Sequence, residues 1–132
     1  MAGRARDSII YVLEDDAGVR EGLGRLLRSE GVEVRGCASI DELLDQAEPE
    51  RTGCVLFDLS VTRSKPRPLR DCLAARGIDF PLIALTGSDG CAAATNARAA
   101  GASLLFRKPV DARALLDAVN WFLASALDTP TK

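Results

Sequence analysis

Four places in the chain could do chemistry together: the acids Glu14, Asp15 and Asp16, then Asp58, Thr86 and Lys108. Each lies at or just past the end of a short apolar run. The runs are Ile9–Leu13, Cys54–Phe57, Pro81–Leu85 and Leu104–Phe106. Carboxylates gathered in one small volume repel, and one of them holds a raised pKa unless a cation joins them. Hard oxygen ligands clustered in this way suit Mg²⁺, which takes one or two carboxylates, keeps waters and shares phosphate oxygens. Asp58 can then be a nucleophile, because a carboxylate can accept a phosphoryl group to form an acyl phosphate. Mg²⁺ and Lys108 would neutralise the equatorial oxygens, and Thr86 would donate a hydrogen bond. Each signal is bland by itself. An acid at a strand end is commonly a helix N-cap, and Asp16 reads as one. Lys-Pro after a strand is usually a solvated turn. The arrival of all four at strand ends is what carries weight.

For these residues to meet, the elements must bring them to one edge. Ile9–Leu13 is a continuous run rich in β-branched residues, as expected for a strand buried on both faces. Val19, Leu23, Leu26 and Leu27 fall on one face of a helix stopped near Gly31, with Gly22 and Gly24 weakening it. Val32–Arg35 alternates like a strand nearer the sheet edge. Ser39-Ile40-Asp41-Glu42 reads as a capping box that opens a second helix. Cys54–Phe57 is a third strand, and Ser60–Pro68 a polar, basic loop. Pro68 suits the first turn of a third helix that closes near Gly77. Pro81–Leu85 is a fourth strand. An alanine-rich fourth helix runs from about Cys91 to Ala100, with Gly101 as its stop. Leu104–Phe106 is a fifth strand. Asp111 caps a fifth helix with the stripe Leu115, Val119, Phe122 and Leu123. Strands alternating with helices imply an α/β fold with a parallel sheet covered on both faces. For five such units the flavodoxin-like order 2-1-3-4-5 is the natural topology, with the ligand site beyond the carboxyl ends of the strands.

Composition narrows the chemistry further. The chain has 132 residues, a net charge of −2 and no histidine. Ser-His and Cys-His catalysis, His-ligated metals and a phosphohistidine on this chain are therefore excluded. The near-neutral balance gives no electrostatic footprint for direct nucleic-acid binding. No apolar run is long enough to cross a bilayer, and the stretch from Ile9 to Leu13 is too short for a signal peptide. Cys37, Cys54, Cys72 and Cys91 contain no C-x-x-C pair, so they read as reduced thiols in apolar sites. The expected compartment is the cytoplasm.

At this point the chain resembles the receiver domain of a two-component response regulator. The motifs are Ile10-Tyr11-Val12-Leu13-Glu14-Asp15-Asp16, Val55-Leu56-Phe57-Asp58, Ile83-Ala84-Leu85-Thr86-Gly87 and Phe106-Arg107-Lys108-Pro109. Val19-Arg20 and Ala99-Ala100-Gly101-Ala102 are similar to FixJ-type receivers in particular. The resemblance implies that Asp58 is the phosphoacceptor, Thr86 the switch hydroxyl and Lys108 the phosphate-binding lysine. It implies an Mg²⁺ site made by Glu14, Asp15, Asp58 and the backbone carbonyl of Ser60, with Asp15 the more direct ligand of the acidic pair. The implied donor is a phosphohistidine on a sensor histidine kinase or phosphotransfer protein, and the implied recipient of the signal is an output domain or target protein. A homodimer through the face of the fourth helix, fifth strand and fifth helix is consistent with it. The chain is expected to form one receiver domain over residues 1–132, with a core over about 8–127 and no output domain. It is not expected to be an enzyme beyond self-catalysed phosphoryl transfer and hydrolysis.

Three departures from the family pattern stand out. Val61, Thr62 and Pro66 replace a usual Met-Pro pair and a glycine, and proline cannot adopt the angles that glycine can. The loop around them is basic, with Arg63, Lys65, Arg67 and Arg70. Leu105 stands where Tyr or Phe is common, and the aromatic is Phe106, which a one-residue offset sends to the other sheet face. The alanine-rich helix buries little area per residue and is expected to be weakly anchored. Trp121 lies off the core stripe and reads as half-buried. The first two departures support an alternative, a pseudo-receiver interaction module that does not switch by phosphorylation. Enzyme readings lack support. A flavodoxin would not carry three acids after its first strand, the P-loop pattern is absent, and Ser60 stands where a haloacid-type phosphatase has its second acid.

Overall fold

The computed structural model describes residues 8–62, 66–87 and 91–128. Five parallel strands, β1 (Ser8–Leu13), β2 (Glu33–Cys37), β3 (Thr52–Asp58), β4 (Leu82–Thr86) and β5 (Leu104–Arg107), form one sheet in the order β2-β1-β3-β4-β5. Among the described residues they are joined by six helices: α1 (Ala17–Arg28), α2 (Ile40–Gln46), α3 (Leu59–Thr62), α4 (Leu69–Ala74), α5 (Cys91–Ala100) and α6 (Ala112–Asp128). Every residue of β1 is buried, as befits a central strand with helices on both faces.

The period of two along each strand sorts the core into two layers. Ile9, Tyr11, Leu13, Val55, Phe57, Leu82 and Ala84 point to one face, where they meet Ile40 and Leu43 of α2, Leu69 and Leu73 of α4, and Ala93 and Ala97 of α5. Ile10, Val12, Cys54, Leu56, Ile83 and Leu85 point to the other, against Leu27 of α1 and Leu115, Val119 and Leu123 of α6. Register then fixes the edge that matters. Leu13 lies opposite Phe57, Asp58 opposite Leu85, and Thr86 opposite Arg107. Glu14 and Asp58 therefore leave the sheet at one level, with Thr86 one residue and Lys108 two residues further along the same edge.

The helix ends follow their local sequence. Asp16 accepts a hydrogen bond from the Val19 N–H at 3.1 Å and caps α1. Ser39 caps α2 through the Glu42 N–H, but the Glu42 carboxylate takes the N–H of Ala38, one residue before the cap, so the expected reciprocal box is displaced. Pro68 is the N-cap of α4 and not a residue of its first turn. The three glycines read as helix stops all have positive φ. Gly101 is the most constrained, since φ is +94° and a Cβ would lie 2.5 Å from the Cβ of Arg70.

Several expectations need correction. The segment after Asp58 opens with a helical turn, α3, held by the Thr62 hydroxyl donating to the Leu59 carbonyl at 2.8 Å. Val19 is exposed and does not join the buried stripe of α1, which is too close to the helix start to reach the core. Trp121 is 64% exposed and stands edge-on to Phe122. Arg70 belongs to α4, where its guanidinium donates to the carbonyls of Phe80 at 2.9 Å and Gly101 at 3.4 Å. Of the other basic residues, Arg67 donates to the Asp71 carbonyl, while Arg63 and Lys65 lie outside the described residues. The tail beyond the expected core also lies outside them from residue 129 on. Cys37 and Cys54 are free, buried thiols whose pKa burial pushes up to about 12. Cys72 is free and half-buried.

Candidate functional site

Lys108 leaves β5 beside Thr86, its N–H donating to the Thr86 carbonyl at 2.8 Å, and its peptide bond to Pro109 is cis. Its side chain runs back across the sheet edge. There the Nζ donates to Asp58 Oδ2 at 2.7 Å and to Glu14 Oε1 at 3.0 Å. One ammonium thus bridges carboxylates from the ends of two neighbouring strands. The second oxygen of each acid is also occupied: Asp58 Oδ1 accepts the Ser60 N–H at 3.0 Å, and Glu14 Oε2 accepts the Asp16 N–H at 3.2 Å. Thr86 is buried beside this group, 7% exposed.

Not all the acids converge. Glu14 is 2% exposed and Asp58 9%, whereas Asp15 and Asp16 are exposed. Among the described residues no three acidic or thiol side chains gather closely enough to hold a metal by themselves. The expected crowd of three or four carboxylates is therefore two, with Lys108 between them. The reason is local: Asp16 turns away to cap α1, and Asp15 follows a buried residue on a chain that has just left the strand.

Two carboxylates and one ammonium leave an excess negative charge in a half-buried place. Burial holds the Glu14 carboxyl above its ordinary range, despite the opposing bonds from Lys108 and the Asp16 amide. Burial also works against the charge on Asp58, but the Lys108 ammonium and the Ser60 N–H outweigh it and hold its carboxyl below the usual range. Desolvation opposes the charge on Lys108, yet its bonds to Asp58 and Glu14 keep its pKa raised. Of the two acids, Asp58 is thus the one whose charged form the surroundings favour. The oxygen donors, their small number and the unbalanced charge fit Mg²⁺, which needs only one or two carboxylates besides waters.

Two further features shape the site. Arg20 donates to the Glu14 carbonyl at 2.7 Å, a contact whose sequence trace was only the Val19-Arg20 pair. Beside Thr86, a cleft of about 500 Å³ opens between α3, the Pro66–Pro68 segment and α5, with Thr62, Arg67 and Asn96 in its lining. Nothing in the residue pattern announces it, because it arises where alanines replace bulk along α5. Leu105 packs on the α5 face and Phe106 on the α6 face, as the offset in sequence requires.

A doubly wound sheet in the order β2-β1-β3-β4-β5, with acids, a hydroxyl and a lysine at the carboxyl ends of β1, β3, β4 and β5, defines the flavodoxin-like α/β class. Residues 10–120 match the response regulator receiver domain family, and the chain belongs to it. It is 33% identical over 112 residues to Nodulation protein W of Bradyrhizobium diazoefficiens, which covers 85% of this chain and 49% of that protein. It is 34% identical over 111 residues to the transcriptional regulatory protein FixJ of Azorhizobium caulinodans, covering 84% of this chain and 53% of that one. Among solved structures, a response regulator receiver protein from Burkholderia phymatum superposes with a TM-score of 0.72 at 32% identity, over 89% of this chain and 95% of that one. The chain spans about half the length of the curated relatives it matches. It is a receiver of two-component signalling, and no helix among the described residues is long and apolar enough to cross a membrane.

Proposed function

We propose that this receiver is a phosphoacceptor: Asp58 takes a phosphoryl group from a phosphohistidine of a sensor histidine kinase or phosphotransfer protein, and the change alters binding to an output domain or target protein. The observation that carries this reading is the bridge from Lys108 Nζ to Asp58 and Glu14, at 2.7 and 3.0 Å. It keeps Asp58 ionised and places a positive charge where a phosphoryl oxygen would arrive. A carboxylate oxygen of Asp58 forms the new bond to phosphorus as the phosphorus–nitrogen bond breaks. The imidazole nitrogen keeps that electron pair. Lys108 then exchanges its carboxylate partner for a phosphoryl oxygen, and the Thr86 hydroxyl donates to another. Glu14, Asp15, Asp58 and the Ser60 carbonyl would hold Mg²⁺, whose chemistry is to neutralise the transferring phosphoryl oxygens. Water cleaves the acyl phosphate later, so the chain's own catalysis is confined to accepting and losing this group. A homodimer through α5, β5 and α6 is supported by the exposed apolar residues Leu104 on β5 and Trp121 on α6.

A second reading has one observation in its favour. Phe106 sits on the face away from α5, and Leu105 offers no ring to follow Thr86, which suits a pseudo-receiver that does not switch by phosphorylation. Incubation with acetyl phosphate and Mg²⁺, read by intact mass, separates the two. A gain of one phosphoryl group that disappears in Asp58→Asn supports the first reading. No gain at any Mg²⁺ concentration supports the second.

A further inference from the structure

We propose that Arg20 is a positioning residue for the acid loop, holding the peptide from which Asp15 departs, and that Gly36 is the seat its side chain requires. Arg20 lies one turn into α1, its N–H bonded to the Asp16 carbonyl at 2.9 Å. Its side chain folds back over the end of β2, where Gly36 lies opposite Val12 in the ladder. A Cβ at Gly36 would come within 3.0 Å of Arg20 Cδ and 3.1 Å of Cγ. Any side chain at residue 36 would press on the methylene stem, which would have to give by a few tenths of an ångström. The guanidinium then reaches the Glu14 carbonyl at 2.7 Å. From the other side the Glu14 N–H donates to the Cys37 carbonyl at 3.0 Å.

Both peptide groups of Glu14 are therefore held, one by β2 and one by Arg20. The consequence falls on Asp15. Glu14 and Asp16 each anchor their carboxylates on backbone N–H groups. Asp15 is exposed and has no such anchor among the described residues. Its direction is set by the Glu14–Asp15 peptide, whose oxygen Arg20 holds. Groups that orient metal ligands without touching the metal typically change affinity by 10–100-fold when removed. The inference rests on the reading of Glu14, Asp15 and Asp58 as Mg²⁺ ligands, and adds to it the part that aims one of them.

Arg20→Met keeps the stem over Gly36 and removes the donor. Coulomb's law alone has loss of a nearby positive charge tighten the binding of a cation, so the sign of the change separates positioning from electrostatics. In calorimetric titration of the whole chain with Mg²⁺ and no phosphodonor, Arg20→Met should weaken binding about tenfold. Arg20→Lys, which keeps a donor, should recover part of the loss. Gly36→Ala, which displaces the stem, should weaken binding in the same direction. The Mg²⁺ concentration for half-maximal phosphorylation should rise in parallel, with most of the rate regained at saturating Mg²⁺. Unchanged or tighter binding in a folded Arg20→Met protein overturns the inference while leaving the phosphoacceptor reading intact. Should Arg20→Met fail to fold, unchanged binding by Gly36→Ala overturns it equally. A wild-type chain that binds Mg²⁺ but gains no phosphoryl group overturns the phosphoacceptor reading alone, and one that binds no Mg²⁺ overturns both.

Discussion

Glu14 and Asp58 are two carboxylates with one counter-charge, and their environments push them apart. Glu14, buried at the end of β1, holds a raised pKa, and Asp58, bonded to Lys108 and the Ser60 amide, a lowered one. A group whose pKa is raised on folding contributes stability that is complete below its unfolded value and is lost as pH rises through the folded one. Asp58 behaves in the opposite sense, and loses its contribution only as pH falls below the ordinary aspartate range. Glu14→Gln should therefore stabilise the metal-free protein at neutral pH, and urea melts should show the gain grow as pH climbs from the ordinary glutamate range. A gain that is constant from pH 4 to 8 would contradict the assignment of Glu14 as the strained acid. At this scale the sequence showed which residue types meet but not which acid turns inward. Glu14, Asp15 and Asp16 are equivalent as letters. Their fates are set by where β1 ends and by the capping of α1, and both depend on tertiary register.

The elements themselves were largely readable, because each strand is a short apolar run and three helix stops are glycines with φ between +76° and +94°. Those glycines differ in kind from the ones inside α1. A Cβ at Gly22 would meet nothing within 4 Å, so Gly22→Ala should stabilise the protein by about 0.5–1 kcal/mol through better helix propensity. Gly101→Ala should instead cost roughly 1–3 kcal/mol, since it meets both an unfavourable φ and Arg70. Chemical denaturation of the two variants side by side checks the contrast, and equal effects would refute it. The turn α3 escaped the sequence reading for a physical reason. Four residues are too few to show a helical period, and α3 depends on burial of Leu59 and on the Thr62 hydroxyl. Arg70 escaped for another: a basic residue next to a basic loop looks solvated until Phe80 and Gly101 are seen to receive it.

For the whole molecule, the sheet order followed from alternating strands and helices, and the register then placed Glu14, Asp58, Thr86 and Lys108 along one edge. The cleft beside Thr86 did not follow, because it is a space left between elements rather than a property of any one of them. A site with excess negative charge links fold stability to divalent cations. At tenfold its dissociation constant, Mg²⁺ should stabilise the native chain by about 1.4 kcal/mol. Thermal melts should show this shift in the wild type and lose most of it in Asp58→Asn. An equal shift in both would place the cation elsewhere. The central claim is that Asp58 itself receives the phosphoryl group. Borohydride reduction after reaction with acetyl phosphate, followed by peptide mass mapping, tests this directly, since an acyl phosphate is reduced to the alcohol. Conversion of residue 58 to homoserine is the predicted result, and conversion at Asp15 or Asp16 with residue 58 untouched would contradict it.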